Sequence, residues 1–238
     1  KKYRSRNQRD KVQYVLGGKT LENIKERDFN LIKEKIENCQ KCPLALTRNK
    51  TVCGEGNIDS PVIFIGEGPG AEEDASGRPF VGRAGQLLEK MILMYAKRKR
   101  EDFFIGNIVK CRPPQNRVPS EEEVRSCTQF LEAQLLVIKP KIIVTLGATS
   151  ARFFLGRDVQ ITKERGSFFD WYGNVKIFTT FHPSYLLRNQ SKEKFSPFWY
   201  AALDMTLIGI MHQQLSENRP VDEVINEISI KLKGSTGE

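Results

Sequence analysis

The run Val62-Ile63-Phe64-Ile65, closing on Gly66-Glu67-Gly68-Pro69-Gly70, sets the architecture of this chain. Four consecutive apolar residues with no polar alternation suit a strand buried on both faces, which is the habit of parallel sheets. Three more such runs follow: Phe103-Phe104-Ile105, Ile142-Ile143-Val144 and Val175-Lys176-Ile177-Phe178. Helical patterns separate them. Leu87, Leu88, Met91, Ile92 and Tyr95 recur at helical spacing, ahead of the basic stretch Lys97-Arg98-Lys99-Arg100 that suits a helix C-terminus. Ser120 with Glu123 forms a capping box that opens a helix through Ile138, and Pro140 stops it. Further helices are expected from Ala148 to Leu155 and from Pro197 to Gln214, and a short one from Asp28 to Asn38. The alternation predicts an α/β fold: a three-layer α/β/α sandwich around a short, largely parallel four-stranded sheet.

Such sheets bind ligands beyond the carboxyl ends of their strands. The polar and glycine-rich segments fall there. Gly66–Gly70 follows the first strand, Asn107 the second, Gly147-Ala148-Thr149-Ser150 the third and His182 the fourth.

The 238 residues carry a formal charge of +9, and a net +5 of it lies within the first eleven residues. Residues 1–27 read as a basic N-terminal arm, 28–214 as the folded body and 215–238 as a polar C-terminal tail. A basic body behind a basic arm favours a polyanionic partner. No apolar run approaches the roughly 20 residues that span a membrane, and no signal-peptide pattern opens the chain, so a cytoplasmic monomer is expected.

Five cysteines in a cytosolic chain point to metal or cluster ligation rather than disulfides. Cys39 and Cys42 form a Cys-x2-Cys pair, and with Cys53 and a later cysteine they suit structural zinc as well as iron–sulfur. The glycine-rich loop is neither a phosphate loop, lacking the Gly-Lys-Ser/Thr ending, nor the dinucleotide fingerprint. Its continuation, Glu72-Glu73-Asp74-Ala75-Ser76-Gly77-Arg78-Pro79-Phe80, holds more carboxylates and glycines than a tight turn requires.

The stretch GEGPGAEEDASGRPFVGRAGQLL from Gly66, then Asn107-Ile108-Val109-Lys110-Cys111-Arg112-Pro113-Pro114, then His182-Pro183-Ser184, resembles the family 4, iron–sulfur branch of the uracil-DNA glycosylases. The resemblance runs from about Cys39 to Gln213. It implies base-excision repair: hydrolysis of the N-glycosidic bond of uracil in single- or double-stranded DNA, leaving an abasic site. It also implies a 4Fe–4S cluster held by Cys39, Cys42, Cys111 and Cys127, leaving Cys53 as a structural thiol. Such a cluster would present Lys110, Arg112 and Arg117 to a phosphate backbone.

In the resemblance Asn107 reads the uracil edge, accepting from N3–H and donating to O4, while cytosine presents the opposite pattern. His182 hydrogen-bonds uracil O2 as charge builds on the leaving base, and Phe80 stacks on the flipped ring. Tyr185, Leu186, Leu187 and Arg188 are candidates to fill the vacated base stack. Gly68 stands where better-known relatives place a water-positioning aspartate. Glu67 is therefore the first candidate for that role. Glu73 is the second, or else blocks the 5-methyl group of thymine. His212 has no such context. Two other function classes frame this reading: a non-catalytic iron–sulfur DNA-binding replication accessory, and a metal-dependent phosphohydrolase using Glu72, Glu73 and Asp74. The latter lacks matching ligands elsewhere in the chain.

Overall fold

The computed structural model describes residues 21–236. The arm's first twenty residues lie outside them. In chain order the elements are α1 (Leu21–Glu37), β1 (Glu55–Gly56), β2 (Val62–Gly66), α2 (Ala71–Ser76), α3 (Arg83–Met91) and β3 (Phe104–Asn107). There follow α4 (Glu121–Ile138), β4 (Ile142–Leu146), α5 (Ala148–Leu155), α6 (Ile161–Glu164), β5 (Phe168–Asp170) and β6 (Lys176–Thr180). The chain closes with α7 (Pro183–Arg188), α8 (Pro197–Ser216) and α9 (Val221–Thr236).

Among the described residues the sheet has six strands, in the order β1-β3-β2-β4-β6-β5, rather than four. The four expected strands form its parallel centre, β3-β2-β4-β6. Two short antiparallel strands, β1 and β5, close the edges. Alternate residues of each central strand enter different cores, as pleating demands. Val62, Phe64, Ile105, Val144 and Phe178 pack with α3, α8 and α9. Ile63, Ile65, Phe104, Ile143 and Ile177 face α1, α4 and α5. That double burial explains the continuous apolar runs and makes the molecule a three-layer sandwich.

The helix boundaries carry their own chemistry. Ser120 Oγ accepts from Glu123 N at 3.3 Å and Glu123 Oε2 accepts from Ser120 N at 2.8 Å, so α4 begins on the expected capping box. It ends where Lys139 turns left-handed at φ 55°, just before Pro140. Two boundaries differ from the sequence reading. α1 starts at Leu21, inside the stretch read as an arm. The stretch read as a peripheral tail forms α9, whose Val224 and Ile228 are fully buried in the larger core. Only every fourth residue of that helix needs to be apolar to seal the α8 face, so its weak amphipathicity concealed a packed element.

Candidate active site

The main cleft, about 550 Å³, opens at the carboxyl ends of β2, β3, β4 and β6. Glu67, Gly68, Glu73, Phe80, Asn107 and His182 all line it. The sheet thus brings together every residue singled out for catalysis or uracil binding.

Asn107 is the last residue of β3, paired in register with Gly66 of β2. Its side chain is buried, and its Oδ1 has no hydrogen-bond partner. Gly66 makes the geometry possible. A Cβ there would lie 2.5 Å from both Asn107 Oδ1 and Phe80 Cζ. With glycine in place, the carboxamide and the aromatic ring meet over bare backbone. An unpartnered buried acceptor costs about 1–3 kcal/mol, a cost that a ligand N–H would remove.

Phe80 is held in an uncommon backbone conformation, with φ at 50°. Arg100, itself buried, secures it. Its guanidinium donates to Phe80 O at 3.0 Å and to Pro79 O, and pairs with Glu55 at 2.9 Å. The Phe80 ring lies 5.9 Å from the His182 imidazole, centroid to centroid, at 38°.

His182 caps the N-terminus of α7. Its Nδ1 accepts from Ser184 N at 3.1 Å and lies 2.7 Å from Ser184 Oγ. Because a backbone N–H can only donate, Nδ1 carries no proton and the neutral ring bears its hydrogen on Nε2. Burial, seconded by the Arg188 charge, pushes its pKa down to about 4 against an opposing pull from Glu73. At neutral pH His182 is an uncharged donor. The sequence reading gave Ser184 no role, although a serine two residues after a helix cap is a recognisable cap partner.

Glu73 does not present a free carboxylate. Its Oε1 accepts from Val81 N and Gly82 N at 2.8 and 2.9 Å, and its Oε2 from Gly70 N at 3.0 Å. It laces the glycine-rich loop to the segment that carries Phe80. Asp74 does related work, accepting from Asn49 N and Nδ2 at 2.9 and 2.7 Å. Two of the three carboxylates in that loop are thus occupied by its own scaffolding, which answers why a turn should hold so many. It also counts against the phosphohydrolase reading, which needs Glu73 and Asp74 turned towards a metal. Glu67 lines the cleft with no such ties to its carboxylate among the described residues. A Cβ on Gly68 would stand 2.8 Å from Val109 Cγ2, so an aspartate here would have to displace that methyl.

The candidates for the base stack separate cleanly. Leu186 is buried in the core, and Tyr185 stacks on Phe181 with centroids 5.1 Å apart. Leu187 lines the cleft and Arg188 is exposed. Of the three cations assigned to phosphate, Lys110 is wholly buried and cannot reach one. Arg117 is exposed but pairs with Glu123 at 2.6 Å, and Arg112 bonds Asn116 Oδ1 at 2.8 Å. His212 sits in α8 with Nε2 3.1 Å from Asp102 O, a structural contact away from the cleft.

Behind β3, Cys39, Cys42, Cys111 and Cys127 line one small cavity with Arg48 and Lys110. None of these four, nor Cys53, is in a disulfide. Two of the sulfurs accept N–H groups. Arg48 Nη1 lies 3.3 Å from Cys111 Sγ, and Lys110 N lies 3.3 Å from Cys127 Sγ. Burial pushes the Cys127 thiol up to about 11. Cys53 stands apart, 3.3 Å from Gln134 Nε2. Among the described residues, no three His, Cys, Asp or Glu side chains converge on a single-ion geometry.

Fold and cleft together define an α/β sandwich whose pocket, at the carboxyl ends of the parallel strands, brings together an aromatic ring, a carboxamide and an imidazole. A family model described as the Uracil DNA glycosylase superfamily matches residues 53–205. A Type-4 uracil-DNA glycosylase of Thermotoga maritima is 52% identical over 170 residues, covering 71% of this chain and 88% of that protein. One from Saccharolobus solfataricus is 43% identical, over 68% of this chain and 78% of its own. A Type-5 uracil-DNA glycosylase of Pyrobaculum aerophilum is 28% identical over 66% of this chain and 83% of its own. The chain belongs to the uracil DNA glycosylase superfamily.

Proposed function

We propose that this protein acts in base-excision repair as a Type-4 uracil-DNA glycosylase, hydrolysing the bond between uracil and deoxyribose to leave an abasic site. The observation that carries this reading is Asn107, which lines the cleft beside Phe80 and His182 and whose buried Oδ1 has no hydrogen-bond partner. A uracil extruded from DNA would stack on Phe80 and give its N3–H to that oxygen. The Asn107 amide would donate to O4, and the His182 Nε2–H to O2. As the C1′–N1 bond breaks, its electron pair passes into the ring, and the imidazole N–H stabilises the charge growing on O2. Water, oriented by the Glu67 carboxylate, adds to C1′ and gives up a proton, and the departed uracil anion takes one up, so that an abasic sugar and neutral uracil result. Gly68 leaves room beside Glu67 rather than supplying a base. Glu73 shapes the loop that holds Phe80. Leu187, with Arg188 beside it, is the residue left to enter the vacated stack.

Cys39, Cys42, Cys111 and Cys127 are the ligands we assign to a 4Fe–4S cluster. Four cysteine sulfurs around one cavity, with N–H groups on two of them, would suit an iron–sulfur cluster. When bound, the cluster supplies iron–thiolate bonds that tie the end of α1 and the segment after β3 to α4. Cys127→Ser is expected to abolish visible iron–sulfur absorption and lower the melting temperature, whereas Cys53→Ser keeps the absorption. Retained absorption in Cys127→Ser would remove that ligand.

None of the described helices is long and apolar enough to cross a membrane. We propose a cytoplasmic protein that works as a monomer.

The test is an oligonucleotide carrying one uracil, incubated with EDTA and split into alkali-treated and untreated halves. Cleavage only after alkali is expected. Intact strands in both halves, with tight DNA binding, would leave a non-catalytic binding protein.

A further inference from the structure

Lys110 is accounted for neither by the cleft nor by phosphate binding. It is 1% exposed, yet its side chain ends in an amine. Its Nζ donates to the backbone carbonyl of Asn107 at 2.7 Å. Its own backbone N–H donates to Cys127 Sγ at 3.3 Å, and its carbonyl accepts from Val52 N at 2.7 Å. The same residue lines the cysteine cavity. One side chain therefore reaches from the wall of the cysteine centre to the residue whose carboxamide faces the cleft.

Burying a polar amine against a single neutral carbonyl is costly, and an apolar side chain of similar length would fill the space without that cost. What it then accomplishes is geometric. β3 ends at Asn107, the chain turns away, and the Lys110 bond grips the final carbonyl from behind. We propose that Lys110 is a positioning residue for uracil recognition. It sets the depth of the Asn107 carboxamide in the cleft and refers that depth to the cysteine centre. This rests on the uracil-glycosylase reading above.

The experiment is a double-mutant cycle on the iron-loaded protein: wild type, K110M, N107A and the double variant. The readouts are kcat/KM for uracil excision, inhibition by free uracil and affinity for abasic-site DNA. Iron content checks that each variant is intact. K110M is expected to lower kcat/KM by about 10- to 100-fold, the range for residues that orient a functional group from behind. Uracil inhibition should weaken in parallel while abasic-DNA affinity holds. In the N107A background the same substitution should cost nothing more, because the group it positions is gone. Equal losses in both backgrounds, or loss of DNA affinity in step with activity, would overturn the role. If K110M does not fold, K110Q, which keeps an N–H donor, enters the same cycle: a smaller loss that vanishes with N107A supports the proposal, and an additive one overturns it. Wild type without uracil excision would sink the functional reading and this inference together. Active wild type with additive losses sinks only the assignment of Lys110.

Discussion

His182→Ala is expected to lower the single-turnover rate of uracil excision by about 10²–10³-fold, the usual cost of losing one preorganised donor to a developing oxyanion. DNA affinity should stay near wild type, because in this reading the imidazole meets the base only after extrusion. The wild-type pH profile carries a second signature. With its pKa near 4, the ring is neutral throughout the ordinary working range. The rate should therefore show no inflection near 6.5, where a free histidine titrates, and fall only as pH approaches 4. Protonation there would place a hydrogen on Nδ1 and break the bond from Ser184 N, so His182 would lose its orientation with its neutrality. The stability linkage has the same sense. Between about 6.5 and 4 the unfolded chain binds a proton that the folded ring refuses. His182's contribution is complete above the unfolded value and is lost as pH falls through that interval. An activity step at pH 6.5 that disappears in His182→Ala would contradict a neutral donor.

Asn107→Ala removes both hydrogen bonds to the uracil edge and is expected to cost about 10³-fold in kcat/KM, roughly two buried polar contacts' worth. Abasic-site DNA should still bind within a few-fold, since no base remains to be read. The wild-type Oδ1 is unpartnered and buried, so an incoming N3–H gains a bond without displacing another. A cytosine ring, presenting an acceptor at that position, would leave the oxygen unpaired and face it with a lone pair. Parallel loss of excision and abasic-DNA affinity in Asn107→Ala would make the residue a structural strand end rather than a reader.

Much of this molecule was legible before folding. The four central strands are continuous apolar runs because each is buried on both faces, and that requirement is written residue by residue. The edges were not. β1 has two residues and β5 three, too short for a periodic signal, and both exist only because a neighbouring strand offers open hydrogen-bonding groups. The site was read through the order of Gly66–Gly70, Asn107 and His182 after successive strands. Parallel topology then requires them to meet at one end of the sheet. Phe80, well away from any strand, came from family resemblance, and the Arg100 bonds that hold it left no local trace.

What the sequence determined by itself was everything that depends on local period and local chemistry: the buried strands, the capped α4 and the polar segments at the strand ends. The tertiary structure alone decided where long side chains point. Lys110 sits in a stretch rich in cations and reads as a phosphate contact, but it turns inward to Asn107. Glu73 sits in an acidic run and reads as a catalytic candidate, but three backbone amides consume it. The reason is physical. A charged side chain goes wherever its charge is best compensated, and the compensating groups here lie up to nine residues away or on the far side of a strand.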